Sequence, residues 1–296
     1  GIGAALLIDY KSFNLSLAQS LRRTMPGVGL HQYVCPQVWA WKAGRIPIYG
    51  HTLDTLYCLF DFEPALFEGL PVEALCMGHP LVEVVRPEVD RETFFRQAGL
   101  DPSRPLVALL PGSRQKEIRE LLPPMVALAR AWRADPGRSD VQWVLPVAPS
   151  LPADFLRGFI QGAPIKLVEG QTYAPRAHAD AALVCSGTAT LETALLGTPF
   201  AILYRMNPIT LALARRFVKV SHFGLANVVA GREIAPELLQ DEVNPRRLGQ
   251  ELSRLLEPGR AAAMRKDLAE VRARLGEPGA AARVAEHLLA RMADPV

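Results

Sequence analysis

A short turn of small residues followed by a cation lies near the middle of the chain. Leu106 to Leu110 is fully apolar and of strand length, and the turn Pro111-Gly112-Ser113-Arg114 leads from it into a helix starting at about Gln115. Such a turn points backbone N–H groups and the positive end of the helix at an anion, and Arg114 can bind a phosphate with two hydrogen bonds. An ordinary strand-to-helix turn with a surface arginine explains the same residues equally well.

A second turn of small residues follows the apolar run Ala181 to Cys185. The tripeptide Ser186-Gly187-Thr188 opens a helix, with Thr190 as its expected cap, and small side chains let a ligand approach the backbone. We expect Glu192 on the first turn of that helix, where its carboxylate can accept hydrogen bonds from ribose hydroxyls or simply complement the helix dipole. Taken alone, the dipole is the better explanation. Both turns, however, follow strands whose carboxyl ends bind nucleotides in open α/β sheets, so the pair favours a nucleotide site.

Two further segments combine apolar and basic residues. VWAWKAGR, at residues 38–45, could meet a lipid surface or an acyl chain, with Lys42 and Arg45 on phosphate. Alternatively Trp39 and Trp41 are core residues, although in an extended segment at most one of them would be, because alternate side chains point to opposite faces. In Tyr204 to Lys219, basic residues surround an apolar helix, and a solvated face on a core helix is the favoured interpretation.

Strand-length apolar runs alternate with helical patterns along the chain, which is typical of α/β proteins with parallel sheets. With 296 residues, the chain is long enough for two domains. A charged stretch with several prolines separates its halves. We predict a partial first domain over residues 1–85, a linker zone over 86–104, a second domain over 105–275, and a C-terminal helix over 276–296 that can pack back on the first domain. Because Gly1 leads directly into a strand, we expect that the natural start is missing.

Composition and charge exclude several classes of protein. The net charge of +3 is too small for a dense nucleic-acid-binding face but suits phosphates or an acidic membrane surface. The 4 cysteines include no closely spaced pair, which indicates reduced thiols in a reducing compartment. No secretory signal opens the chain, and its longest apolar stretch is interrupted by polar residues. The sequence therefore predicts a cytoplasmic protein without a membrane span.

Seven stretches together resemble the lipid-A-disaccharide synthase family in order and spacing over nearly the whole chain. They are Phe13-Asn14 and the segments at residues 34–45 (VCPQVWAWKAGR), 78–81 (GHPL), 109–118 (LLPGSRQKEI), 186–199 (SGTATLETALLGTP), 204–210 (YRMNPIT) and 227–242 (NVVAGREIAPELLQDE). Any one element is weak, but the set is specific.

The resemblance implies the GT-B fold, in which two Rossmann-like α/β domains face a cleft, here with the first domain incomplete. It implies an inverting glycosyltransferase without metal or cofactor, which joins UDP-2,3-diacylglucosamine to 2,3-diacylglucosamine 1-phosphate. The products would be UDP and the lipid A disaccharide of lipopolysaccharide biosynthesis. The expected partners are these two substrates and the inner face of the cytoplasmic membrane, as a peripheral contact, but not nucleic acid. A homodimer is left open.

The same resemblance assigns residues to each substrate. On the donor side it gives Arg114 the diphosphate and Glu192 the ribose, within an expected set of Gly112, Ser113, Arg114, Ser186, Gly187, Thr188, Glu192, Arg205, Met206 and Asn227. On the acceptor or lipid side the expected set is Asn14, Trp39, Trp41, Lys42, Arg45 and His79. For catalysis we expect Asp9 as the remaining carboxylate base and Arg114 as the group that stabilises the leaving UDP.

The chain departs from the family at the end of its first strand. The usual Asp-x-Pro-Asp-Phe-Asn reads here Asp9-Tyr10-Lys11-Ser12-Phe13-Asn14, and Ser12 cannot hold a proton as a carboxylate does. His79 is a weaker substitute for the base. Two alternatives therefore stay open: a catalytically impaired relative that binds UDP-sugar or lipid, and a GT-B glycosyltransferase with another lipid-linked acceptor.

Overall fold

The computed structural model describes residues 2–206 and 222–293. Within these ranges the chain forms two compact units. Unit 1 contains residues 2–84 and 273–293, and unit 2 contains residues 85–206 and 222–272. The segment 86–104, expected as a linker zone, belongs to unit 2, because it carries a helix whose Phe94 and Phe95 are buried there.

Strands and helices alternate in the described ranges, as the sequence pattern predicts. The strands are β1 (Ala4–Ile8), β2 (Gly29–Tyr33), β3 (Thr55–Cys58), β4 (Glu73–Cys76), β5 (Leu106–Leu110), β6 (Gln142–Pro146), β7 (Ile165–Val168), β8 (Ala181–Cys185), β9 (Phe200–Tyr204) and β10 (Glu237–Leu239). The helices are α1 (Lys11–Thr24), α2 (Val38–Trp41), α3 (Ile46–Thr52), α4 (Leu81–Val84), α5 (Arg91–Ala98), α6 (Gln115–Ala134), α7 (Ala153–Ile160), α8 (Ala174–Ala177), α9 (Thr188–Leu195), α10 (Leu225–Ala230), α11 (Pro245–Leu255), α12 (Pro258–Arg274) and α13 (Ala280–Ala293). Short 3-10 helices span Ala43–Arg45, Pro64–Phe67 and Gln240–Glu242.

Unit 2 is built on a six-stranded sheet with the order β10-β9-β8-β5-β6-β7, in which the neighbouring strands are parallel. The chain adds β6 and β7 on one side of β5 and then returns to add β8, β9 and β10 on the other. The order therefore reverses between β5 and β8, and open α/β sheets bind ligands outside the carboxyl ends of strands at such a point. Both small-residue turns singled out from the sequence follow these two strands.

Burial explains why β5 and β8 lie at the centre of that sheet. Every residue of both strands is buried, which is the pattern of a parallel strand covered by helices on both faces. Helix α6 contributes one covering stripe, since Ile118, Leu122, Met125 and Ala129 recur at spacings of three and four and are buried. The turns after β5 and β8 are thus held by a rigid core.

Unit 1 is built on a four-stranded parallel sheet with the order β1-β2-β3-β4. Helix α13 belongs to this unit and is tied to the sheet by polar contacts. The Nη1 atom of Arg291 lies 2.6 Å from a carboxylate oxygen of Glu73, and Tyr57 Oη lies 3.0 Å from His287 Nδ1. In the described residues, no helix is both long and apolar enough to cross a membrane.

Three points of local structure considered from the sequence can be compared with the fold. Residues 38–45 form helical turns, so the alternation of faces considered for an extended segment does not apply there. Helix α9 begins at Thr188, which moves Glu192 from the first turn to the second. The expected basic helix beyond Tyr204 falls mostly on residues 207–221, outside the described residues.

Candidate functional site

A cavity of about 370 Å³ opens at the carboxyl ends of β5 and β8 in unit 2. The turns after β5 and β8 and the segment after β6 form its wall, together with Thr172, Arg176 and Glu192. The fold thereby brings together seven of the predicted donor-side residues: Gly112, Ser113, Arg114, Ser186, Gly187, Thr188 and Glu192.

The turn after β5 already binds a carboxylate of the protein, that of Glu117. Glu117 Oε2 accepts hydrogen bonds from the backbone N–H groups of Ser113 and Arg114, at 3.0 and 3.1 Å. Glu117 Oε1 accepts from Arg114 Nη1 at 2.9 Å. Gly112 is required here, because it has a φ of +113° and a Cβ would collide with the Glu117 carboxylate. The two N–H groups that we expected to face a phosphate are therefore occupied, whereas the Arg114 side chain remains 82% exposed.

The turn after β8 leaves donors available toward the cavity. Gly187, with a φ of +138°, holds the cap position of α9. The expected cap Thr190 instead donates its hydroxyl back to Gly187 O at 2.8 Å. The Ser186 hydroxyl donates to Phe223 O at 2.8 Å and so fixes the turn. The first N–H groups of a helix have no partner within it, and Thr188 and Ala189 line the cavity, so they can bind an anion.

An ion pair that the sequence did not reveal lies in the cavity wall. Arg176 Nη1 contacts Glu192 Oε2, and the two side chains are only 12% and 17% exposed. The Tyr173 hydroxyl lies 3.4 Å from Glu192 Oε1, and burial together with the nearby Glu192 charge raises the pKa of Tyr173. Arg176 Nε is buried without a hydrogen-bond partner among the described atoms. Glu192 is thus contacted from two sides, and Nε of Arg176 is left without a partner in the protein.

Three predicted donor-side residues do not line this cavity. Asn227 is fully buried; its Oδ1 accepts from the N–H groups of Ile234 and Ala235, and its Nδ2 donates to Ala235 O and Glu237 Oε1. Arg205 donates to three backbone carbonyl groups, those of Glu120, Gln240 and Val243. The backbone of Met206 exchanges two hydrogen bonds with the Gln240 amide. All three hold the loops around β9 and β10 in place.

On the acceptor side, hydrogen bonds hold the carboxyl end of β1 in place. Asn14 is buried and donates from Nδ2 to Ile8 O at 3.0 Å and to Asp9 O at 2.7 Å. Asp9 has a φ of +51° and is exposed, and its N–H donates to Tyr33 O at 2.7 Å. Asn14 therefore positions the main chain of Asp9, and its amide nitrogen is already used within the protein.

Trp39 and His79, also expected on the acceptor side, both pack against Phe60. Trp39 Nε1 donates to Glu63 Oε1 at 2.9 Å, and its ring packs edge-on against Phe60 and Phe62. His79 contacts Phe60, is 7% exposed, and accepts at Nδ1 from the N–H of Leu81. Burial lowers the pKa of His79 to about 4, so its ring is neutral near pH 7. The Trp41 side chain lies outside the described part of the structure.

Among the described residues, one group of three could share a metal ion. The ligand atoms of Cys35, Cys58 and Glu63 are all buried and lie within 4.8 Å of one another. Both Glu63 oxygens already accept hydrogen bonds, from Trp39 Nε1 and from the N–H groups of Leu59 and Phe60. The hydrogen bond with Cys58 and burial raise the pKa of Cys35, and a protonated thiol is a poor ligand. This group is better explained as a core contact.

Lys42 and Arg45, the remaining acceptor-side candidates, meet at a smaller cavity of about 230 Å³ in unit 1. Lys11 and Ser12 from the start of α1 line the same cavity, together with the buried Tyr49. Sequence reasoning connected Lys42 and Arg45 because they lie within one segment. It missed Lys11, which the fold brings from a different element.

Known proteins resemble this chain over most of its length. The family model described as Lipid-A-disaccharide synthetase matches residues 2–290. The lipid-A-disaccharide synthase of Syntrophus aciditrophicus is 40% identical over 284 residues, covering 95% of this chain and 73% of that protein. The chain belongs to the lipid-A-disaccharide synthase family. A second family member, from Anaeromyxobacter dehalogenans, is 42% identical over 296 residues, covering 98% of this chain and 75% of its own length.

Solved structures of proteins that bind UDP or a UDP-sugar share the fold of this chain. A UDP-GlcNAc 2-epimerase from Neisseria meningitidis, solved with UDP-GlcNAc, aligns with a TM-score of 0.60 at 13% identity, over 97% of this chain and 76% of that one. The S. aureus MnaA–UDP structure aligns with a TM-score of 0.58 at 14% identity, over 96% and 74% of the two chains. These likenesses confirm the predicted α/β fold with Rossmann-like units of the GT-B class.

Proposed function

We propose that the chain transfers a diacylglucosamine unit from its UDP derivative to diacylglucosamine 1-phosphate, releasing UDP and forming the lipid A disaccharide. The observation that carries the proposal is the cavity at the point where strand order reverses, which gathers both small-residue turns, Arg114 and Glu192. The names of the relatives point to the same reaction, because proteins about 40% identical to this chain are lipid-A-disaccharide synthases.

In this proposal the donor-side cavity holds UDP. The exposed guanidinium of Arg114 and the N–H groups at the start of α9 face the diphosphate, which gains negative charge as the sugar bond breaks. Donors that are already in position stabilise that charge without reorganising, which lowers the barrier. Glu192, fixed by Arg176 and Tyr173, accepts hydrogen bonds from the ribose hydroxyls.

The acceptor hydroxyl must lose a proton as it attacks the anomeric carbon from the face opposite UDP, and this direction of attack inverts the centre. Asp9 is the carboxylate that we propose as the base, because its backbone is fixed by Asn14 and its side chain is exposed. His79 is the weaker candidate, since it is buried and its Nδ1 already accepts a hydrogen bond.

The substrates carry acyl chains, so we propose peripheral contact of unit 1 with the inner face of the cytoplasmic membrane. Exposed apolar side chains support this: Ile8, Tyr10 and Phe13 are 62%, 74% and 59% exposed near the end of β1 and the start of α1. Lys11 lies between them and can contact an acidic lipid headgroup. Assembly as a homodimer stays a prediction.

The test is UDP release by this chain, supplied with UDP-2,3-diacylglucosamine and diacylglucosamine 1-phosphate in detergent. We expect release that requires the acceptor. Arg114→Met and Asp9→Asn should each lower kcat at least about a hundredfold, as loss of a transition-state donor or a base does. Arg130→Met, which removes a surface arginine of the same unit, is the matched control and should retain activity. Acceptor-independent release, or none from a chain that binds both substrates, would refute the proposal.

A further inference from the structure

The smaller cavity in unit 1 has an unusual balance of charge. Its polar lining residues are Lys11, Ser12, Gln37, Lys42, Arg45 and Tyr49. Three of these are cations, and no acidic residue lines the cavity within the described residues. Lys11 and Arg45, which come from different elements, place positive charge around about 230 Å³, and this favours a small, multiply charged anion.

The contact that Arg45 makes with α1 leaves the charge of Arg45 in place. Arg45 Nη1 donates to the Ser12 hydroxyl at 3.3 Å, so its partner on α1 is neutral. Ser12 stands where the family motif usually has an aspartate, and an aspartate at this position would form an ion pair with Arg45. The departure from the motif that removes a possible base therefore leaves a cation available to a ligand.

The backbone around the cavity is compatible with an anion and is held in place. Helix α1 begins at Lys11, has no acidic residue in its first turn and has no side-chain cap. Its first N–H groups therefore add partial positive charge beside the cavity. The buried Tyr49 donates its hydroxyl to Lys11 O at 2.9 Å, which fixes the start of the helix relative to α3.

We propose that this cavity binds the phosphate monoester of the acceptor sugar. The inference rests on the proposed function, whose acceptor carries such a group, with about two negative charges near neutral pH. An apolar surface adjoins the cavity: Tyr10 and Phe13 flank Lys11 and Ser12, are exposed, and pack edge-on with ring centroids 5.9 Å apart. A phosphate site beside an apolar surface suits an acylated sugar phosphate better than a free anion.

The test measures the Kd of glucosamine 1-phosphate, a water-soluble probe that keeps the phosphate monoester. The titration is monitored by phosphorus-31 NMR. Arg45→Gln should raise its Kd at least about tenfold, because charge-assisted hydrogen bonds to phosphate are lost. Ser12→Asp should raise it at least as much by pairing with Arg45, whereas Ser12→Ala should change it less than about twofold. Arg23→Gln is the matched control, since it removes an equal charge near the other end of α1.

Several outcomes would overturn the inference. It fails if the four variants bind the probe equally, if unphosphorylated glucosamine binds as well, or if Ser12→Asp binds as tightly as the parent chain. It also fails if the phosphodiester methyl ester of the probe binds equally, because a phospholipid headgroup would then fit the cavity as well. UDP affinity measured on the same samples separates the two proposals. Retained UDP binding with the variant pattern absent refutes this inference alone, whereas a parent chain that binds no UDP refutes the proposed function.

Discussion

Replacing Arg176 tests whether the ion pair with Glu192 holds the nucleotide site together. Arg176→Met removes the guanidinium but keeps an unbranched side chain that can still pack against Tyr173, whose ring centroid lies 5.7 Å from the Arg176 guanidinium carbon. The change leaves the Glu192 carboxylate without its cationic partner at a position where only 17% of the side chain is exposed. We expect unit 2 to become less stable and the cavity wall to loosen.

The expected change in the free energy of unfolding combines the cost of losing the ion pair with the gain from removing the unpartnered Nε. Removing one partner of a fully buried ion pair costs about 3–5 kcal/mol, and an exposed pair contributes about 0–1 kcal/mol. This pair, 12% and 17% exposed, lies near the buried limit but borders a cavity. The substitution also removes the buried, unpartnered Nε, and such a group costs about 1–3 kcal/mol. The net expectation is a loss of about 2 kcal/mol in the free energy of unfolding.

The measurement is hydrogen exchange of peptides from β5 and β8 across a urea series, which reports on unit 2 alone. Glu192→Gln and the double variant complete a cycle, and we expect a coupling energy of about 2 kcal/mol between the two positions. The reasoning is refuted if Arg176→Met changes the free energy of unfolding by less than about 0.5 kcal/mol, or if the double variant is simply additive.

Two further predictions concern Asn227 and His79, which both make hydrogen bonds within the protein. Asn227→Ala leaves three buried backbone groups without their side-chain partner, the N–H groups of Ile234 and Ala235 and the Ala235 carbonyl, so unit 2 should lose about 3 kcal/mol or more in urea unfolding. Lost UDP affinity with unchanged stability would instead favour the nucleotide contact expected from sequence. Burial lowers the pKa of His79 from 6.5 to about 4, so as pH falls through this range the unfolded chain takes up the proton first. The free energy of unfolding should therefore fall by about 3 kcal/mol between pH 6.5 and 4, and His79→Gln should remove that part of the pH dependence; an equal slope in both proteins would contradict the buried, neutral ring.

The proximity of the two small-residue turns could be predicted because the information is local. β5 and β8 are uninterrupted apolar runs, each followed at once by small residues and a helix, so strand, turn and helix could all be recognised within about a dozen residues. Parallel strands have their carboxyl ends at the same edge of a sheet. The turns after β5 and β8 therefore lie side by side if β5 and β8 are neighbouring strands. Arg176 carries no such signal, because Arg176 on α8 and Glu192 on α9 are brought together only by the fold.

The internal contacts of the acceptor-side residues could not be predicted, for the opposite reason. Asn14, Trp39 and His79 are polar or amphipathic residues in family motifs, and such residues suggest ligand contacts when only type and spacing are known. In the fold their polar atoms are used within unit 1: Asn14 holds the turn at Asp9, Trp39 binds Glu63, and His79 accepts from Leu81. A buried polar group needs a partner whether or not a ligand exists, so the motif alone could not separate the two roles.

Ser12 can be considered either as a missing base or as a neutral partner of Arg45, and the two views predict different effects of Ser12→Asp. Considered as a missing base, Ser12 predicts that Ser12→Asp raises turnover. Considered through its contact with Arg45, it predicts that the aspartate neutralises a cation lining an otherwise basic cavity and weakens binding of the acceptor phosphate. Measuring kcat and the KM for the acceptor on one variant separates these effects, since a restored base acts on kcat and a neutralised phosphate site acts on KM. Because Asp9 is the carboxylate already proposed as the base, we expect KM to rise with little gain in kcat, and a rise in kcat at unchanged KM would assign the base to position 12.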